Sequence, residues 1–116
     1  MKKIICFDLD GVICKTPGNN YIKSRPIINN IKFINKLYNR GYVIKVFTAR
    51  FMGRSKENVN LAKKKGYKLT ISQLKKWKLK YHYLLMGKTS YDFFIDDKAY
   101  GFKKNWRKDL KKYFLK

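Results

Sequence analysis

Asp8 and Asp10 follow the apolar run Ile4-Ile5-Cys6-Phe7, Thr48 follows Val43-Ile44-Lys45-Val46-Phe47, and Asp96 and Asp97 follow Phe93-Phe94-Ile95. Each of these polar groups stands where a short apolar strand should end. In open α/β sheets, ligands collect beyond the carboxyl ends of the strands. Four carboxylates gathered at that edge would repel one another strongly unless a cation neutralised them. The donors are hard oxygens with no His or Cys beside them, which points to magnesium rather than zinc. The chain has only seven acidic residues, and four of them fall at this edge. A solvated surface accounts for that poorly.

The elements that must position these groups are legible from the pattern. The continuous apolar run at 4–7 suits a strand buried on both faces of a parallel sheet. Thr16-Pro17-Gly18-Asn19-Asn20 is dense in turn formers. Ser24 is placed to cap a helix with Pro26 in its first turn, Ile27, Ile28, Ile31, Ile34, Leu37 and Tyr38 recur at helical spacing, and Gly41 ends the run. Residues 43–47 form a second strand. Ser55 opens a helix that Gly66 terminates, and Thr70 caps a third carrying Ile71, Leu74 and Trp77. Strands are expected at 83–86 and 93–95. A last helix presents Trp106, Leu110, Tyr113 and Phe114 on one face. Strands alternating with helices imply a parallel sheet with right-handed crossovers. The expectation is one α/β domain over 1–116, a Rossmann-like three-layer fold with a mainly parallel sheet.

Composition narrows the class. The chain has 116 residues, 45% of them hydrophobic, and a formal net charge of +22. That length suits one domain, and the apolar content can build a core, which excludes a disordered chain. No apolar run reaches the roughly 18 residues needed to span a bilayer, and Asp8 and Asp10 interrupt the N-terminal run too early for a signal peptide. Cys6 and Cys14 have no His/Cys cluster near them and indicate neither a zinc site nor a disulfide framework, so a reduced cytoplasmic setting is the default. The charge would draw anionic ligands, nucleic acid among them. Lysines are nonetheless spread along the whole chain, and the runs Lys63-Lys64-Lys65 and Lys75-Lys76 fall on the polar faces of expected helices.

Phe7-Asp8-Leu9-Asp10-Gly11-Val12 resembles the first motif of the haloacid dehalogenase superfamily, Val46-Phe47-Thr48-Ala49-Arg50 its second, Gly87-Lys88 its third and Phe94-Ile95-Asp96-Asp97 its fourth. The four occur in the family's order. The resemblance implies a magnesium-dependent phosphomonoester hydrolase. Asp8 would be the nucleophile that forms an aspartyl-phosphate, and Asp10 the general acid and then base. Gly11 would turn the backbone toward the phosphate. Thr48 and Ala49 would bind phosphoryl oxygens, and Lys88 would neutralise their charge. The metal set would be Asp8, Asp10 through its backbone carbonyl, Asp96 and Asp97, with Asp97 the direct carboxylate ligand and Asp96 behind it. Only seven residues separate Lys88 from Asp96, so Lys98 is the fallback lysine.

Neither interval between motifs can hold a cap domain. An open site follows, with water excluded by residues 12–24, by the substrate or by a second subunit. The closer resemblance is to short phosphatases associated with bacterial capsule and surface-polysaccharide synthesis, which implies a sugar phosphate or related small metabolite as substrate. The alternatives are a phosphatase for nucleic-acid 3′-phosphate ends and a non-catalytic basic module that binds nucleic acid. Arg50 and Arg54 flank the second motif and are candidates for a second anionic group. Cys14 reads as an inert small residue near the site, and His82 as a packed residue at the start of a strand.

Overall fold

The computed structural model describes residues 3–115. Three parallel strands form the sheet. The first, β1 (Ile4–Asp8), leads into a flap in which the short strands β2 (Cys14–Lys15) and β3 (Arg25–Pro26) pair antiparallel around a 3₁₀ turn at Tyr21–Lys23. Helix α1 (Ile28–Asn39) returns the chain to β4 (Val43–Thr48), helix α2 (Val59–Lys76) to β5 (Tyr83–Met86), and α3 (Trp106–Phe114) closes the fold. The sheet order is β1-β4-β5, with Ile4 opposite Val43 and Thr48 opposite Met86. No cap domain interrupts this architecture: Asp10 and Thr48 are separated only by the flap, α1 and β4.

Packing explains the register. Strand β4 alternates between half-buried and buried residues, putting Ile44, Val46 and Thr48 on one face. That face meets Ile31, Ile34 and Leu37 of α1, while Trp106 packs edge-on to Phe33 at 5.6 Å and tilted to Phe7 at 6.0 Å. Each fully buried aliphatic side chain here contributes about 1.5–3 kcal/mol. Slipping a strand by one residue would move all of them to the wrong face. His82 belongs to this framework: its Nδ1 accepts from the Ile44 N–H at 3.0 Å and its ring stacks on Tyr38.

Several expectations are corrected. Gly66 does not stop a helix and Thr70 does not start one, because α2 runs unbroken through both. A Cβ at Gly66 would collide with the Phe51 ring, so this glycine is present for close packing. Ser24 does not cap α1, which begins with Ile27 at its N-cap and has no side-chain cap; Ser24 instead ends the 3₁₀ turn at Tyr21–Lys23. The covering of β1 is one-sided, with Phe7 buried and Ile4 and Cys6 exposed. Tyr113 points outward, while Leu110 and Phe114 pack on the core. No strand forms at 93–95, where Phe93 is 90% and Ile95 95% exposed. Among the described residues, no helix is long and apolar enough to cross a membrane.

Candidate active site

Parallel pairing puts the ends of β1, β4 and β5 at one edge of the sheet, and a pocket of about 710 Å³ opens there. Asp8 is the last residue of β1. Gly87 follows β5 at φ +102, a left-handed conformation that favours glycine, and a Cβ there would press on Val59 at 2.9 Å. The turn carries the Lys88 N–H to the Thr48 carbonyl at 3.1 Å and the Lys88 Nζ to within 3.4 Å of Asp8 Oδ1. Lys88, not Lys98, is therefore the lysine brought to Asp8.

Glu57 holds this loop in place. It accepts hydrogen bonds from Thr89 Oγ1 and the Ser90 N–H, both at 2.8 Å, and these contacts keep its own carboxyl below the usual value. Burial pushes Asp8 above the ordinary carboxylate range; the charge and hydrogen bond of Lys88 pull it back only in part. Burial likewise pulls Lys88 down, but its hydrogen bond with Tyr91 and the Asp8 charge more than offset that, leaving it above its ordinary value.

Asp10 is held quite differently. Arg50, with no side-chain exposure, donates from Nε to Asp10 Oδ1 and Oδ2 at 3.1 and 3.0 Å and from Nη2 to Oδ1 at 2.9 Å. Thr16 Oγ1 adds a 2.5 Å hydrogen bond to Oδ1, and Cys14 Sγ a weak one at 3.4 Å. Oδ1 is therefore crowded, while among the described residues Oδ2 accepts only from Arg50 Nε. The same guanidinium reaches Gln73 Oε1 at 2.6 Å, Ser24 Oγ at 3.0 Å and Thr70 Oγ1 at 3.4 Å. Arg50 thus serves neither as a surface residue nor as a free anion binder. It locks the flap, the first loop and α2 together. A buried guanidinium is tolerated because its donors find partners in a matching fork.

Other side chains shape the mouth of the pocket. Tyr21 lies 4.8 Å from Phe51, with Arg50 and Arg54 over its ring at about 5 Å, and Arg54 also donates to the Asn19 carbonyl. This fastens the flap across one side of the opening. Gly11, at φ +94, and Ala49 both line the pocket. Thr48 does not: it is fully buried, and its Oγ1 accepts from the Arg50 N–H at 3.1 Å. The Cys14 thiol is pushed up to about 11 by burial and by the Asp10 charge, so it stays protonated and inert near neutrality.

Asp96 and Asp97 are exposed and do not line the pocket. Asp96 accepts from the Lys98 N–H at 3.0 Å in a local turn, while Glu57 fixes the start of this segment beside α2 and β5. Among the described residues, no three acidic, His or Cys side chains gather as a metal-binding group. As arranged, the carboxylates do not assemble the expected magnesium set: Asp8 faces Lys88, the Asp10 side chain is taken up by Arg50, and Asp96 and Asp97 do not line the pocket.

No protein-family model and no curated protein matches the chain. Solved structures do. A structural-genomics target from Vibrio cholerae superposes with a TM-score of 0.78 at 24% identity, over 96% of this chain and 98% of that one. A chain of the Pnkp1/Rnl/Hen1 complex superposes with a TM-score of 0.55 at 21% identity, over 95% of this chain and 33% of that one. The likeness is one of fold.

Sequence reasoning missed Glu57, Tyr21, Thr16, Ser24, Thr70 and Gln73. A signal existed for the last two. Ala62, Gly66, Thr70 and Gln73 recur at spacings of four, four and three, a small and polar stripe on one helical face. All four are buried.

Proposed function

We propose that the chain is a phosphomonoester hydrolase working through an aspartyl-phosphate on Asp8. The observation that carries this reading is the placement of the Asp8 carboxylate 3.4 Å from the Lys88 ammonium, in a pocket at the strand ends. A cation there attracts a phosphoryl group and offsets the charge that grows on it during transfer. The first three motifs that resemble the haloacid dehalogenase superfamily, at 7–12, 46–50 and 87–88, each place residues in this pocket and support the same assignment.

In this reading an Asp8 carboxylate oxygen attacks phosphorus and the ester P–O bond breaks. Asp10 Oδ2, which accepts from Arg50 Nε, takes up a proton from solvent as the anionic substrate binds beside it and gives that proton to the leaving oxygen. Water then attacks the aspartyl-phosphate, passes a proton to Asp10 and releases phosphate, restoring Asp8. The backbone at Gly11 and Ala49 and the Lys88 ammonium orient the phosphoryl oxygens. A pocket of about 710 Å³ lies within the range for small-molecule sites and suits a sugar phosphate or related small metabolite.

Turnover is expected to need magnesium, which calls for Asp96 or Asp97 to reach Asp8. Strand β1 has no partner on its outer edge among the described residues, and Phe93-Phe94-Ile95 is an exposed apolar run that could pair with it. No step above runs through the cation. The test is hydrolysis of a generic aryl phosphate with magnesium present. Asp8→Asn should lower the rate about a thousandfold or more while circular dichroism stays unchanged. Absence of turnover, or equal turnover by the variant, overturns the proposal.

A further inference from the structure

A second groove, of about 580 Å³, lies between α1 and α3, and most of its lining residues are cations. Lys32 and Lys36 come from α1; Lys104, Arg107, Lys108 and Lys111 come from α3 and the residues leading into it. Six of the ten lining residues are thus Lys or Arg, against 29 of 116 in the chain. Composition alone would put between two and three there.

Among the described residues, no acidic side chain lines the groove. Helix α1 contains none at all, and Asp109, the single acid of α3, is engaged by Tyr100 at 2.7 Å and Lys103 at 3.9 Å. None of the six cations makes an ion pair among the described residues. Lys32 and Lys36 in α1, and Arg107 and Lys111 in α3, are like charges four residues apart, a spacing that destabilises an isolated helix. An arrangement that maintains this repulsion on two facing helices becomes favourable once a polyanion lies between them.

We propose that this groove binds the phosphate backbone of a nucleic acid. The two rows of cations run along neighbouring helices, so successive phosphates can be met from both sides, while Phe33 and Leu115 supply an apolar floor. Such contacts fix position without reading bases, so binding should be indifferent to sequence and steeply dependent on salt. The proposal is independent of the phosphatase reading, since no groove residue lines the Asp8 pocket.

The experiment is fluorescence anisotropy with a labelled mixed-sequence single-stranded oligonucleotide, followed across a salt titration. One variant carries Lys32→Glu, Lys36→Glu, Lys108→Glu and Lys111→Glu. A control carries the same charge change on the exposed face of α2, as Lys63→Glu, Lys64→Glu, Lys68→Glu and Lys75→Glu. The groove variant should bind at least about tenfold more weakly, with a log–log salt slope shallower by about 3, at roughly 0.7 per lost phosphate contact. The control should change affinity by less than about threefold. If the Glu variant misfolds by circular dichroism, the Gln versions give the same reading. Equal weakening in both variants overturns the proposal, as does binding to phosphatidylserine vesicles with no binding to the oligonucleotide.

Discussion

Asp10 and Asp97 have similar local settings in the sequence, each an acid lying just beyond an apolar run, yet the fold treats them as opposites. Around Asp10, Arg50 on one segment and Cys14 and Thr16 on another supply donors, and the carboxylate is fixed. Around Asp97 the chain is exposed, and its neighbour Asp96 satisfies itself with the Lys98 N–H. The difference teaches that an acid joins a site through the partners the tertiary fold delivers. Position after a strand only nominates it.

The largest effect should come from breaking the ordered side of this contrast. Arg50→Met leaves Asp10 without its fork and Gln73 without its donor, and should cost about 3 kcal/mol in urea unfolding. Adding Asp10→Asn should recover part of that loss, because the unpaired charge is removed. Smaller is the effect of Glu57→Ala, which frees Thr89 and Ser90. It should lower kcat/KM about tenfold through poorer placement of Lys88, with little change in thermal midpoint. On the exposed side, Asp97→Asn should leave the thermal midpoint unchanged, since the residue is exposed. It should lower magnesium-stimulated turnover, measured as rate against magnesium concentration.

The smallest effect is one of pH. Asp8 must be ionised to attack, and burial raises its pKa above the ordinary value. The acid limb of kcat/KM should therefore lie above that of a free aspartate. The Lys88 charge favours the ionised form, so Lys88→Met should move the limb to still higher pH, as read from the kcat/KM profile.

Much of the fold was legible because it rests on local pattern. The strands ending at Asp8, Thr48 and Met86, and the helix that begins at Trp106, follow from apolar runs and helical spacing, and parallel pairing then places their ends together. The misreadings share one cause. Gly66 looked like a stop, yet it makes room for the Phe51 ring, which Phe51 presents from a left-handed backbone at φ +65. Ser24 looked like a cap, yet its hydroxyl serves Arg50 from a distance of 26 residues. Phe93-Phe94-Ile95 had the apolar character of a strand, yet the run stays exposed and the sheet stops at β1.

From sequence alone came the α/β class, the strand ends, the nomination of Asp8, Asp10 and Lys88, and the overwhelming positive charge, all properties of neighbouring residues or of simple counts. Tertiary structure alone decided that Arg50 is buried against Asp10, that Glu57 holds the Lys88 loop, that Asp96 and Asp97 lie apart, and that six cations face one another across a groove. Those outcomes depend on contacts between residues far apart in the chain, where the cost of burying a charge is offset only if a partner arrives from another element.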